Sequence, residues 1–183
     1  LPDMISSKEK SNNRKLRIWC AAASSGEEPY TLAMTVFNHI KPNNGWDVKI
    51  LATDISTRIL QKAIEGTYKM DLLKDIPPRI TSSHFSKVSV DKTNYYRAKD
   101  HLKDIITFRR FNLMTEKFPF KHPFDFIFCR NVMIYFDPQT QHTLVKKFYD
   151  CLPKNGHLFI GHSETLSKND NDFKYVQPAI YQR

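Results

Sequence analysis

Arg17-Ile-Trp-Cys-Ala-Ala-Ala-Ser-Ser-Gly-Glu-Glu-Pro-Tyr30 decides the reading of this chain. Leu16 to Cys20 is an apolar, strand-like run. Small residues follow, and two carboxylates with a proline open a helix. Ser25-x-x-Glu28 has the spacing of a capping box, and Pro29 suits a first helical turn. Small side chains let a ligand approach the backbone closely. The loop has a single glycine, Gly26, so it does not spell GxGxxG, and it lacks the lysine of a P-loop. Acids there suit a ligand bearing hydroxyl or ammonium donors rather than one led by phosphate.

Outward from that stretch, strands and helices alternate. Tyr30, Ala33, Met34, Phe37 and Ile40 fall on one helical face, which stops near Pro42-Asn-Asn-Gly45. Val48 to Thr53 reads as a buried strand with Asp54 at its carboxyl end. Ser56 or Thr57 caps a helix carrying Ile59, Leu60, Ala63 and Ile64 and ending at Gly66. Residues 67–103 are irregular. Pro77-Pro78 interrupts them and Val88 to Arg97 alternates weakly, so they read as an inserted β subdomain. Strands return at Ile105–Phe111, Phe124–Cys129 and His157–Gly161, with a helix from Pro138 to Leu152. Phe173–Val176 and Ala179–Gln182 form a closing hairpin around Gln177-Pro178. The fold class is α/β: a mostly parallel sheet with helices on both faces. Residues 1–15 are expected to be a linker or the end of a helix, and residues 16–183 the ligand-binding domain.

In such a sheet, ligands bind beyond the carboxyl ends of the strands. The Ala21–Glu28 loop, Asp54 and the Arg130-Asn131 turn all fall there. Asp54 is placed to accept both hydroxyls of an adenosine ribose, or to cap a turn. A nucleoside cofactor without phosphates fits best, and S-adenosylmethionine is the common one.

The bulk numbers are those of one globular domain. The chain has 183 residues, 40% hydrophobic and 26% charged. No apolar run approaches the roughly 20 residues that span a bilayer. The 3 cysteines, Cys20, Cys129 and Cys151, form no CxxC pattern and read as reduced thiols of a cytoplasmic protein, the first two as small core residues. The net charge of +9 would serve nucleic acid, an acidic protein surface or the anionic inner face of a membrane, although the basic residues are scattered. The densest basic stretch, Lys8 to Arg17, is expected to be solvated. The 7 histidines show no metal-ligand spacing, so no metal site is expected. His162, beside a strand end, is expected to be structural.

Several stretches together carry a specific resemblance: residues 21–30; Ala52-Thr-Asp-Ile-Ser56; Phe111-Asn-Leu113; residues 124–136, ending Cys129-Arg-Asn-Val-Met-Ile-Tyr-Phe136; and Gly161-His-Ser-Glu164. In order and content they resemble the chemotaxis receptor glutamate methyltransferases, the CheR family. The resemblance implies a Rossmann-like methyltransferase fold with a seven-stranded sheet. It implies methyl transfer from S-adenosylmethionine to glutamate carboxylates on the cytoplasmic domains of chemoreceptors, leaving S-adenosylhomocysteine. By matching positions, Ala22 and Glu28 would line the methionine part of the cofactor and Asp54 would hold the ribose. Asn112 and Leu113 would border the adenine, and Arg130 and Asn131 would flank the sulfonium. Tyr135 and Arg130 would be the catalytic pair beside the transferred methyl. A cytoplasmic monomer is expected, with no nucleic-acid partner and no membrane insertion.

The family's N-terminal helical domain and its Asn-x-Thr-x-Phe-Phe-Arg linker motif have no counterpart in these residues. The chain therefore reads as a fragment or as a homologue lacking that part. Family members that dock a receptor tail peptide on the β subdomain carry a glycine-rich loop there, and Ser86–Tyr96 has no glycine. Lys87, Lys92, Arg97 and Lys99 would still suit an acidic helix bundle. The competing readings are a cofactor-binding regulatory module without activity and a nucleic-acid methyltransferase. The second is disfavoured because Arg130-Asn-Val-Met-Ile-Tyr135 replaces the Asn/Asp-Pro-Pro-Tyr/Phe loop of such enzymes.

Overall fold

A computed structural model describes residues 1–41, 44–90, 93–166 and 172–183. Pro42 and Asn43 of the expected turn, and Lys92 of the basic set, lie outside the described residues. The first strand, β1 (Lys15–Cys20), pairs in parallel with β2 (Asp47–Asp54) on one side and β7 (Phe126–Cys129) on the other. Strand β6 (Ile106–Arg110) extends the sheet beyond β2, and β8 (His157–Ile160) extends it beyond β7. The closing hairpin, β9 (Lys174–Gln177) and β10 (Ile180–Gln182), joins by pairing β10 antiparallel to β8. The sheet order is β6-β2-β1-β7-β8-β10-β9, the mostly parallel seven-stranded sheet that the sequence implies.

Both faces of this sheet are covered, so its strands read as continuous apolar runs. Period-two alternation sends Leu16, Ile18 and Cys20 into one core and Trp19 and Ala21 into the other. The first core lies under α2 (Glu27–His39), which contributes Tyr30, Ala33, Met34 and Val36. The second lies under α6 (Pro138–Asp150), which contributes Leu144, Val145 and Phe148. Trp19 is fully buried there, its ring 4.7 Å from Phe120, 5.3 Å from Phe118 and 5.4 Å from both Phe124 and Phe148.

Helix α3 (Thr57–Glu65) follows β2, capped by Ser56 and closed by Gly66 at φ 59°. Its Leu60 and Ala63 are buried, but Ile64, expected on the same face, is 46% exposed. The insert forms a separate antiparallel sheet, β3 (Thr67–Lys69), β5 (Thr93–Ala98) and β4 (Phe85–Val90). Pro77-Pro78 does not merely break the pattern. Pro78 is the first residue of α4 (Pro78–His84), where a missing N–H costs nothing. A short α5 (Asp100–Lys103) returns the chain to the main sheet. At this junction His84 Nδ1 and His101 Nε2 are 2.9 Å apart, against the ring of Phe37 from α2.

Of the two expectations for the N-terminal residues, the helix stands: Pro2–Lys10 is helix α1, with Ile5 buried in the first core. Lys8 is not solvated: its Nζ lies 2.8 Å from the carboxylate of Asp125, and both side chains are largely buried. Arg17 pairs with Asp47. The local basic density is thus partly structural.

Candidate active site

The carboxyl ends of β1, β2, β6 and β7 carry the residues singled out above. Each loop is tied to its neighbour by the backbone. Ala21 N–H donates to Phe128 C=O at 2.8 Å, Ala23 N–H to Thr53 C=O at 2.8 Å, and Phe111 N–H to Asp54 C=O at 3.0 Å. Thr53, fully buried, accepts from the Trp19 indole N–H at 2.9 Å and donates to Ala21 C=O at 3.1 Å. The first loop is therefore fixed from beneath by Thr53, a side chain with no motif to mark it.

The expected capping box is not formed. Gly26, in the left-handed region at φ 97°, is the N-cap of α2, and the Ser25 hydroxyl donates instead to the Glu27 carboxylate at 2.7 Å. A β-carbon at Gly26 would collide with Tyr68 Oη and Ala63, so this position needs glycine twice over. Freed from capping, Glu28 turns toward β7, where its Oε2 is 3.2 Å from Arg130 Nη1. Burial raises the Glu28 carboxyl above its ordinary value, and the Arg130 charge and hydrogen bonds from Arg130 and the Cys20 thiol oppose that rise. Burial, the Glu28 charge and their hydrogen bond in turn push the Cys20 thiol up, so Cys20 is an inert core residue rather than a nucleophile. Burial likewise raises Cys129.

Asp54 stands at the tip of β2. Its Oδ2 accepts from Ser24 N–H and its Oδ1 from Ser56 N–H, both at 3.0 Å. It thus ties the first loop to the start of α3 while each oxygen keeps room for another donor. At the tip of β6, Leu113 is buried and the exposed Asn112 accepts from Met114 N–H at 2.9 Å. Ala22 is half-buried between Ala21 and Ala23. Ile55 (58% exposed) and Met114 (41% exposed) leave apolar surface at these two tips.

The loop after β7 holds the rest. Arg130 is exposed, and Asn131 sits at φ 56°, a conformation asparagine tolerates. Met133–Tyr135 is a 3-10 turn in which Met133 is buried and Tyr135 is 80% exposed. Glu164 closes the Gly161-His-Ser-Glu164 motif, and no role for it follows from the sequence alone. It is buried, and its carboxylate accepts from the N–H groups of Asn131, Val132, Ile134 and Gly161. The available signal was the spacing Gly161-x-x-Glu164 at a strand end, since a β-carbon on Gly161 would strike Asn131 Oδ1 and Glu164 Oε2. His162 is exposed in the turn between them.

The structure brings Glu28 and Arg130 into contact and anchors the Ser24 end of the first loop to Asp54. It places Asn112 and Leu113 beyond the tip of β6 and Asn131 and Tyr135 beyond the tip of β7, with the tips of β2 and β1 between them. This donor set, a carboxylate with spare acceptor capacity and a second one balanced by arginine, fits a ligand with vicinal hydroxyls and a cationic amine.

Comparison with known proteins agrees. Residues 1–181 match the family described as "CheR methyltransferase, SAM binding domain". The chemotaxis protein methyltransferase of Borreliella burgdorferi is 44% identical over 184 residues, covering 100% of this chain and 64% of that protein. A probable chemotaxis protein methyltransferase of Rhizobium etli is 43% identical over 91% of this chain and 61% of that protein. The Escherichia coli chemotaxis protein methyltransferase is 38% identical over 90% of this chain and 57% of that protein. The chain thus spans about three fifths of the length of these relatives. Arg17–Tyr30, Asp54, the 124–136 run and the seven-stranded sheet lead to one conclusion: the chain belongs to the CheR methyltransferase family and carries its S-adenosylmethionine-binding domain.

Proposed function

We propose that this chain methylates glutamate side chains of chemoreceptors, forming methyl esters. The observation that carries the reading is the convergence at the strand tips of Glu28, Asp54 and Arg130 beside an exposed Tyr135. Bound S-adenosylmethionine supplies a methyl group on a cationic sulfur, reactive toward a nucleophile in line with that bond. A glutamate acceptor, with a reference pKa of about 4.3, is already an anion at neutral pH. It brings its own nucleophile, and no general base is needed from the chain. What the chain must do is align the reactants and exclude water, which can supply up to roughly 7–11 kcal/mol.

Each residue then has one task. Asp54 accepts from the ribose hydroxyls. Glu28 balances the cofactor's ammonium group, and Ala22 leaves space for the methionine chain. Asn112 and Leu113 border the adenine. Arg130 and Asn131 flank the sulfonium side, where Arg130 also attracts the incoming anion. The Tyr135 hydroxyl donates to the acceptor carboxylate. The net charge of +9, with Lys87, Arg97 and Lys99 on the small sheet and the turn that follows it, favours an acidic helix bundle as partner.

The test is incubation of the protein with methyl-tritiated S-adenosylmethionine and chemoreceptor cytoplasmic fragments, followed by alkali. Volatile labelled methanol is expected, because only an ester releases it. Label that stays alkali-stable would mean methylation at nitrogen, and binding without transfer would leave a cofactor-binding module.

A further inference from the structure

We propose that Glu164 and Gln141 are positioning residues that grip the Asn131–Phe136 loop by its backbone from two sides and so set the height of the Tyr135 hydroxyl. The inference rests on the methyl-transfer reading above. Glu164 works on the loop's donors. Its Oε2 accepts from Asn131 N–H at 3.1 Å and Gly161 N–H at 2.5 Å, and its Oε1 from Val132 N–H at 3.0 Å and Ile134 N–H at 3.3 Å. Gln141, on α6, works on the acceptors: its Nε2 donates to Met133 C=O and Phe136 C=O, both at 2.9 Å. Between the two grips the loop's own bonds are Tyr135 N–H to Val132 C=O at 3.1 Å and Phe136 N–H to Met133 C=O at 3.0 Å.

Apolar packing fixes this loop only in part. Met133 is buried in the second core and Val132 and Phe136 pack against it, but Ile134 is 53% and Tyr135 80% exposed. A cavity of about 320 Å³, lined in part by Met133, Ile134, Gln141 and Glu164, lies against it. Two planar side chains therefore hold what the core contacts leave open. Neither is replaceable by shape alone. A glutamine at 164 has one carbonyl oxygen, so its amide N–H groups must face two backbone donors whichever way it turns. A leucine at 141 strips Phe136 C=O of its amide donor and leaves Met133 C=O with Phe136 N–H alone.

The experiment combines methyl-transfer kinetics with hydrogen exchange on wild type, Gln141→Leu, Gln141→Arg, Glu164→Gln, Tyr135→Phe and the Gln141→Leu/Tyr135→Phe double variant. Gln141→Leu should lower kcat about tenfold with little change in KM for the cofactor. In the Tyr135→Phe background it should cost almost nothing further, because both changes act through one hydroxyl. The amides of Tyr135 and Phe136 should exchange about tenfold faster while β7 keeps its protection. Gln141→Arg, which restores donors, should recover part of the loss. Additive kinetic losses, or unchanged exchange in both Gln141→Leu and Glu164→Gln, would overturn the proposal. If the wild type transfers no methyl group, the functional reading fails by itself, and hydrogen exchange alone then decides whether the grip exists.

Discussion

Arg130 Nη1 lies 3.2 Å from Glu28 Oε2, joining the tip of β7 to the first turn of α2 across 102 residues of sequence. Glu28 is the more buried partner, at 21% side-chain exposure against 41% for Arg130. In the function proposed above, this pair would flank the cofactor's cationic amine and sulfonium. It keeps a carboxylate available in a desolvated position that would otherwise favour its neutral form.

Cofactor affinity should therefore depend on pH through Glu28. Its carboxyl is raised by burial in the free protein. That burial contributes stability below the ordinary carboxylate value, and the contribution is lost as pH rises through the raised one. Affinity for a cationic ligand has the opposite sign. It should fall by up to about tenfold per pH unit as pH drops below the raised value, where binding releases the Glu28 proton to solvent. Calorimetric titration with S-adenosylhomocysteine at several pH values measures this, and Glu28→Gln should flatten the profile.

Asp54→Ala should weaken cofactor binding by roughly 10- to 150-fold, the equivalent of about 1.5–3 kcal/mol for hydrogen bonds to a charged group. Part of that loss would come from freeing Ser24 N–H, which Asp54 now accepts at 3.0 Å. Asp54→Asn keeps one acceptor oxygen and should lie between the two. Equal affinity in all three proteins would limit Asp54 to holding its turn.

Tyr135→Phe should lower turnover about tenfold with cofactor affinity and thermal stability unchanged, the signature of an interaction made only in the transition state. The side chain is 80% exposed, so its hydroxyl has no buried structural task. Full activity in the variant would reduce Tyr135 to a surface aromatic.

Trp19→Ala should destabilise the fold by about 3–5 kcal/mol. It empties the centre of an aromatic cluster and strips the Thr53 hydroxyl of its indole donor. Because Thr53 also supports the first loop, cofactor affinity should fall with stability. Urea unfolding and calorimetry on the same protein would show whether the two losses go together.

Acid should weaken the junction of the small sheet with the main domain. Burial lowers both His84 and His101. Lys99 depresses them further, His101 adds to the depression of His84, and Asp100 and Asp104 partly offset the shift of His101. Groups with depressed folded values lose their contribution as pH falls, beginning near the ordinary histidine value of about 6.5. His157, lowered chiefly by burial, acts in the same direction. Urea midpoints measured from pH 8 to pH 5 should decline, and His101→Gln should reduce the slope. A flat profile would contradict this.

Most of the fold was legible because buried strands and amphipathic helices announce themselves by period. The strand from Val48 with Asp54 at its end, the Pro138 helix and the closing hairpin all stand where expected. Helix α1 was legible only as one of two alternatives: it is polar except for a few positions, and only Ile5 is buried. Helix α4 was not legible, because a proline pair reads as a break unless one knows that Pro78 opens a helix. At the site, the Ala21–Glu28 loop, Asp54 and the Arg130-Asn131 turn could be placed at strand tips from the strands themselves, whereas Asn112, Leu113 and Tyr135 came only from the family resemblance. Glu164 and Gln141 were found by neither route, since their partners are backbone groups and backbone groups leave no mark on the sequence. The capping box failed for a related reason. Its spacing was correct, but Gly26 could take a positive φ and release Glu28 toward Arg130.

The account rests on where the cofactor lies, and a crystal structure with S-adenosylhomocysteine measures that directly. The account predicts density across the tips of β2, β1 and β7, with ribose hydroxyls on Asp54 and the amino-acid end between Glu28 and Arg130. Density in another part of the molecule, or a bound nucleoside that leaves Asp54 and Glu28 untouched, would contradict it.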